Sequence, residues 1–371
     1  MNNELKLAEI GEFSLLKDYI IPMLRDVSND LIGDDCAFIK LNEQYDRLVV
    51  TTDAGPKPLV MNLGYDSYFS WGWYTILVNV SDLASTGCEP LSISLSIDAP
   101  SDMKLSELVE FYSGISSACQ EFNISISGGN IRASKVFATH GTAIGLLERS
   151  KASITRKNCS KNDILISIGD NGAFISFYLK AKKCGFDSLL PNEKEKLIKP
   201  YSQLRAVRII NQEGLLSSAS DNSDGILGSI MNICERSNCG FLINFDDIKI
   251  PSYILETSKS HKLNPWNLFL CWGDWQVIAT VSYEKFERFI DLSAKNNINY
   301  TVLGRATSSP LSIEGILHNE LVDVNVIRNE NFKQHSYNND ITSHVDYLLK
   351  TDLFKKKKNG IKKSCNIFCE K

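Results

Sequence analysis

Residues 71–98 read WGWYTILVNVSDLASTGCEPLSISLSID, and the spacing of the apolar residues changes once along the way. Before Gly87 they recur three and four apart. Trp73, Ile76, Leu77, Val80 and Ala84 make one stripe, with Thr75, Asn79 and Asp82 on the opposite side. That spacing predicts a helix whose Asp82 faces away from the core. After Pro90 the period is two: Leu91, Ile93, Leu95 and Ile97 share one face and Ser92, Ser94 and Ser96 the other, as in a strand covered on one side.

Working outward, RLVVTTD (47–53) reads as a strand before the helix. SELVEFYSGISSACQEF (106–122) reads as a second helix, followed by strand ISISG, a turn at GGN (128–130) and strand KVFATHGTAIGLLE (135–148). The polar stretch RSKASITRKNCSKND (149–163) reads as a linker, after which DILISIGDNGAFISFYL (163–179) starts again as strand, glycine turn and helix. The expected fold is α/β (α+β) in two lobes, 1–148 and 149–334. A lysine-rich extension, 335–371, is read as a short amphipathic helix and a solvated end.

Composition narrows the function classes. The chain has 371 residues, 43% hydrophobic and 23% charged, enough for two cored domains. Its net charge of −4 gives no broad positive field for a nucleic-acid backbone. No apolar run approaches the roughly 20 residues that cross a bilayer, and the N-terminal residues lack a signal-peptide pattern, so no membrane partner and a cytoplasmic location are expected. The ten cysteines are scattered without a C-x-x-C, as small buried hydrophobes would be.

Acidic residues recur at element ends: Asp34 and Asp35 in IGDDCAFI, Asp53 in VVTTD, Asp82, then Asp221 and Asp224 in ASDNSDGILGSIM (219–231). Each alone reads as a turn, a strand end or a helix cap. If several converge, that reading fails, because two carboxylates about 4 Å apart repel by roughly 4 kcal/mol at an effective dielectric near 20. Such a cluster needs cations, and Mg²⁺ suits hard oxygens shared with phosphates. The glycine turns at 128–129 and 169–172 are candidates for presenting backbone N–H groups to phosphate. No P-loop and no protein-kinase motif set is present.

The ordered series GEFSLL (11–16), IGDDCAFI (32–39), VVTTD (49–53), VNVSDLASTG (78–87), ISGGN (126–130), ITRKNCSKND (154–163) and DNSDGILGSI (221–230) resembles the thiamine-monophosphate kinases. These belong to the superfamily of aminoimidazole ribonucleotide (AIR) synthetase, selenophosphate synthetase and a hydrogenase maturation protein. The resemblance implies a two-lobed AIR-synthetase-like fold, with N-terminal lobes pairing in a homodimer through a β-barrel, and ATP and Mg²⁺ between the lobes. It implies metal-binding Asp35, Asp53, Asp82, Asp221 and Asp224, with Asp53, Asp82 and Asp224 closest to the chemistry and Asp34 a supporting carboxylate. It further implies nucleotide contacts at Thr51, Thr52, Gly128, Gly129, Asn130, Arg156 and Ser223.

One departure falls on the metal side, where a neutral amide replaces a charge, and the others on the acceptor side. Asn130 stands where the family has an aspartate, the loop AGPKPLVMNLGYDSYF (54–69) lacks the family's histidine, and Gly273 stands where the family has a glutamate. Trp272 and Trp275 are candidates for stacking on a planar acceptor, and Lys57 for holding an anionic group. Three readings follow. A kinase acting on thiamine monophosphate or another small phosphorylated acceptor yields ADP and a diphosphate. An AIR-synthetase-like enzyme, activating an amide or carbonyl oxygen for a nitrogen nucleophile, yields ADP and free phosphate. A nucleotide-binding protein yields no turnover.

Overall fold

The computed structural model describes residues 37–40, 45–65, 67–329 and 341–357, with isolated positions at 14, 17, 18 and 332. The first lobe runs β1 (Ala37–Lys40), β2 (Tyr45–Ala54), α1 (Tyr68–Thr86), β3 (Glu89–Pro100), α2 (Leu105–Phe122), β4 (Ser125–Ser134) and β5 (Ala138–Glu148). Its described strands form one sheet in the order β1-β2-β5-β3-β4, antiparallel except for the parallel β3–β4 pair. Among the described residues this sheet is open, with β1 and β4 at its edges.

The second lobe starts with β6 (Ile164–Ile168), α3 (Ala173–Cys184), α4 (Pro191–Ile198), α5 (Leu204–Gln212), β7 (Leu216–Asp221), α6 (Ile226–Ser237) and β8 (Gly240–Asn244). It continues through α7 (Ser252–His261), α8 (Pro265–Phe269), β9 (Val277–Val281), α9 (Phe286–Asn296), β10 (Tyr300–Thr307), β11 (Ile313–Leu317) and β12 (Glu320–Val324), and ends with α10 (Ile341–Lys350) and β13 (Phe354–Lys356). The mixed sheet has the order β13-β12-β11-β8-β10-β6-β9-β7. Strands β6 and β9 are buried along their whole length, which is why they read as unbroken apolar runs.

Helix α1 starts at Ser67, whose side chain accepts from Ser70 N, and stops at Gly87, which takes the left-handed conformation that glycine enters without strain. Its apolar stripe is buried as the spacing predicts. Its polar side is buried too, and this corrects the expected exposure. Thr75 Oγ1 shares a hydrogen bond with Thr139 Oγ1 at 2.8 Å, and Asn79 Nδ2 donates to Thr75 O at 3.0 Å. The helix lies against β2 and β5 on one side and α2, α5 and β7 on others, leaving Val78 and Asp82 half-buried. It also ties the lobes: Trp73 Nε1 donates to Pro200 O and Tyr74 Oη to Leu197 O, both at 2.9 Å.

Two other expectations are corrected, and the expected linker is an ordered one. GGN (128–130) is not a turn but the middle of β4, with Gly129 opposite Leu95; a Cβ there would lie 2.4 Å from Leu95 O. The polar stretch 149–163 is held in place, Arg47 donating to Ser153 Oγ, Glu148 O and Lys151 O, while Ile154, Thr155 and Asp163 are buried. The extension is part of the second lobe as far as residue 357. Val345, Leu348, Leu349 and Leu353 are buried, and β13 pairs with β12.

Asn267 clamps the end of α10 by donating to Leu348 O at 2.8 Å and Thr351 O at 2.9 Å. Asn267→Ala leaves both carbonyls without this donor, so stability to urea should fall by about 1–3 kcal/mol. An unchanged midpoint would show that α10 is not docked this way.

Candidate active site

The period of two along β2 sorts VTTD. Thr51 is buried and its Oγ1 donates to Asp82 Oδ2 at 2.5 Å, whereas Thr52 is exposed on the other face, hydrogen-bonded to Thr142 Oγ1 at 2.9 Å. Asp53, two residues beyond Thr51, returns to the Thr51 side and lines the cleft between the lobes. Asp221, the last residue of β7, comes from the second lobe and is 5% exposed.

Asp82 lies within electrostatic reach of Asp53 and Asp221. Asp82 is enclosed by protein, with part of its surface left to solvent, and its carboxyl is pushed well above the usual range by burial first, then by the charges of Asp221 and Asp53. Burial also raises Asp221, while Arg156, with Nη2 at 3.9 Å from Asp221 Oδ1, and a hydrogen bond with Ser223 pull it back. Asp224 and Ser223 line the same cleft as Asp53, in a cavity of about 440 Å³. Asp34 and Asp35 lie outside the described residues.

The donor set fits a magnesium ion. It consists of hard carboxylate oxygens that repel one another as they stand, beside one guanidinium. Among the described residues no three acidic, histidine or cysteine side chains form a cage by themselves. That suits an ion taking one or two carboxylates from protein and its remaining ligands from phosphate and water.

Other expected site residues fall elsewhere. Asp53, Gly141, Leu95 and Gly129 follow one another across β2, β5, β3 and β4. With strands about 4.8 Å apart, Gly128, Gly129 and Asn130 are therefore roughly 14 Å from Asp53 within one chain. The glycine turn at 169–172 does not offer the start of α3 to phosphate, because Asp274 already accepts from Ala173 N at 3.0 Å and Phe174 N at 2.8 Å. Burial pushes the Asp274 carboxyl up to about 7. Nor do Asp221 and Ser223 cap α6: the capping position is Gly225, and Ile226 N donates to Leu270 O.

The cavity also holds residues the sequence did not single out: Tyr74, Val78, Phe174, Asn222 and Asn329, beside the expected Lys57, Trp272 and Trp275. Asn222 is buried and donates to Gln276 Oε1 at 2.7 Å and to Cys271 O at 3.4 Å, linking the DNSDG turn to the 271–276 turn. At Gly273, with φ +107°, a Cβ would lie 2.3 Å from the Phe174 ring, so no side chain fits where the family's glutamate would stand.

Two family models cover most of the chain: the N-terminal domain of AIR synthase related protein over residues 33–147, and its C-terminal domain over residues 160–315. The chain belongs to the AIR synthase-related family. The thiamine-monophosphate kinase of Aquifex aeolicus (strain VF5) is 25% identical to it over 305 residues, 78% of this chain and 92% of the relative. AaThiL complexed with AMPPCP and TMP matches the fold with a TM-score of 0.71 at 22% identity, covering 85% of this chain and 96% of that one. E. coli HypE, a hydrogenase maturation protein, matches with a TM-score of 0.64 at 12% identity, covering 83% and 97%. Among the described residues no helix is long and apolar enough to cross a membrane.

The raised Asp82 carboxyl has a signed consequence. Its folded value lies above the unfolded one, so its contribution to stability is intact below about pH 4 and is lost as pH rises through the folded value. Asp82→Asn keeps an acceptor for Thr51 and removes the charge. The thermal midpoint of the ligand-free variant should match the parent at pH 4 and exceed it by a few degrees at pH 8. A difference independent of pH would contradict the cluster.

Proposed function

We propose that the chain is an ATP- and Mg²⁺-dependent phosphotransferase of the thiamine-monophosphate kinase type. It moves the γ-phosphoryl group of ATP onto a small phosphorylated acceptor in the cleft between its lobes. The observation that carries this is that Asp82 feels the charges of Asp53, in its own lobe, and Asp221, in the other, with Arg156 beside Asp221 and a cavity walled by aromatic rings at Asp53. The kinase relatives and the AMPPCP and TMP bound in AaThiL support the same reading. We place it in the cytoplasm, where ATP is supplied.

Asp53, Asp82, Asp221 and Asp224 are the residues that would hold magnesium. When bound, magnesium supplies the positive charge that offsets charge moving between the β- and γ-phosphates. The protein's own contribution is position. Thr51 fixes the Asp82 carboxylate, Arg156 sits where it can meet a phosphate as well as Asp221, and Ser223 is placed at the cavity edge for the nucleotide. Lys57 and the faces of Trp272 and Trp275 form the acceptor side. A phosphate acceptor is already anionic at neutral pH, so alignment suffices and no general base is required.

The test is turnover with ATP, Mg²⁺ and thiamine monophosphate, following ADP, inorganic phosphate and thiamine diphosphate separately. Diphosphate formation is expected, and Asp53→Ala should reduce it by at least 100-fold without loss of fold. ADP with free phosphate would point to an AIR-synthetase-like reaction, and unchanged activity of Asp53→Ala would refute the site.

We also propose a homodimer through β4. A parallel pair is normally covered on both faces, yet β4 is exposed along almost all its length, with Ile126 and Ile131 at 50% and 47%. A second copy seated there would cover these residues and close the open sheet toward a barrel. Gly128, Gly129 and Asn130 would then meet nucleotide across the interface. Ile126→Lys with Ile131→Lys should convert a dimer to a monomer in sedimentation equilibrium, and an unaltered mass would place the interface elsewhere.

A further inference from the structure

One wall of the acceptor cavity is held from behind by a residue beyond both family-matched segments. Trp272 Nε1–H donates to His344 Nε2 at 3.1 Å, and His344, on α10, is 1% exposed. The two ring planes lie within 13° of each other with centroids 5.9 Å apart. An indole N–H is a donor only, so His344 Nε2 carries the lone pair and Nδ1 the proton. Turning the indole would break this bond and leave a donor and an acceptor buried together. The face of Trp272 is therefore set by His344, with Phe174 tilted against it at 5.9 Å.

The support is itself anchored. Asn267 clamps the end of α10, Val345, Leu348 and Leu349 bury it, and β13 fastens the chain after it to β12. The matched C-terminal family domain ends at residue 315, so His344 lies beyond it. Asn329, from the segment leading toward α10, lines the same cavity.

We propose that His344 is a positioning residue for acceptor recognition: it holds Trp272 in the orientation that forms one wall of the cavity, so that the C-terminal segment helps set which acceptor fits. This rests on the reading of the cavity as the acceptor site.

The test compares His344→Phe, which keeps a ring and loses the acceptor, with His344→Gln, whose amide oxygen can take the same N–H, and with Trp272→Ala. Calorimetry of the full chain measures thiamine monophosphate binding in the presence of AMPPCP, and AMPPCP binding alone. His344→Phe should weaken thiamine monophosphate about tenfold and leave AMPPCP unchanged, while His344→Gln stays within about threefold of the parent. A general loss of structure would move both ligands and would not be rescued by glutamine. If Trp272→Ala weakens thiamine monophosphate and folded His344→Phe does not, the inference falls and the cavity reading stands. If neither variant weakens it, or the parent does not bind it, the cavity reading falls and the inference with it. Should His344→Phe fail to fold, Trp272→Phe takes its place, keeping an aromatic face without the N–H, with the same expected weakening.

Discussion

Repulsion between carboxylates that the two lobes bring together is the constraint on which the rest of the structure turns. Asp82 sits on a helix packed against its own sheet, and Asp221 ends a strand of the other lobe, so the lobes cannot approach without compressing negative charge. The contacts that offset it lie nearby. Trp73 and Tyr74 reach across to backbone carbonyls at Pro200 and Leu197, and Arg156 leans toward Asp221 from a segment pinned by Arg47. A fold that accepts this strain in the free state gains when a cation and phosphates arrive.

Much of the architecture was legible from spacing. The stripe of α1, the alternation of β3 and the unbroken apolar run of β6 each signal their element. Faces were less legible than elements. Thr75 and Asn79 look like solvent residues because their spacing from Trp73 and Ile76 is all the sequence displays; what lies opposite them, Thr139 and Gly141 on β5, is distant in the chain. The glycine pair in GGN resembles a turn, yet Gly129 is needed because Leu95 O passes close by in a neighbouring strand. The lysines after Phe354 suggested a loose end, while the apolar residues of α10 dock that segment as far as β13.

The site was legible in a different way. Nothing in the spacing of Asp53, Asp82 and Asp221 shows that they converge; the ordered resemblance to the kinases brought them together, and the structure sets Asp82 within electrostatic reach of the other two. Asn222, Gln276 and Asn171 were missed, because nothing in their spacing shows that these amides join one another in buried turns. On the acceptor side, Phe174 occupies the space that any side chain at position 273 would need, and an aromatic wall stands there instead.

The most direct measurement of the central claim is the number of protons released when Mg²⁺ and AMPPCP bind, taken from calorimetry in buffers of different ionisation heat near pH 6. Carboxyls raised by burial and by one another must give up protons as a cation settles among them. The account predicts that the parent protein releases more protons than Asp82→Asn. Equal release from both proteins would contradict it.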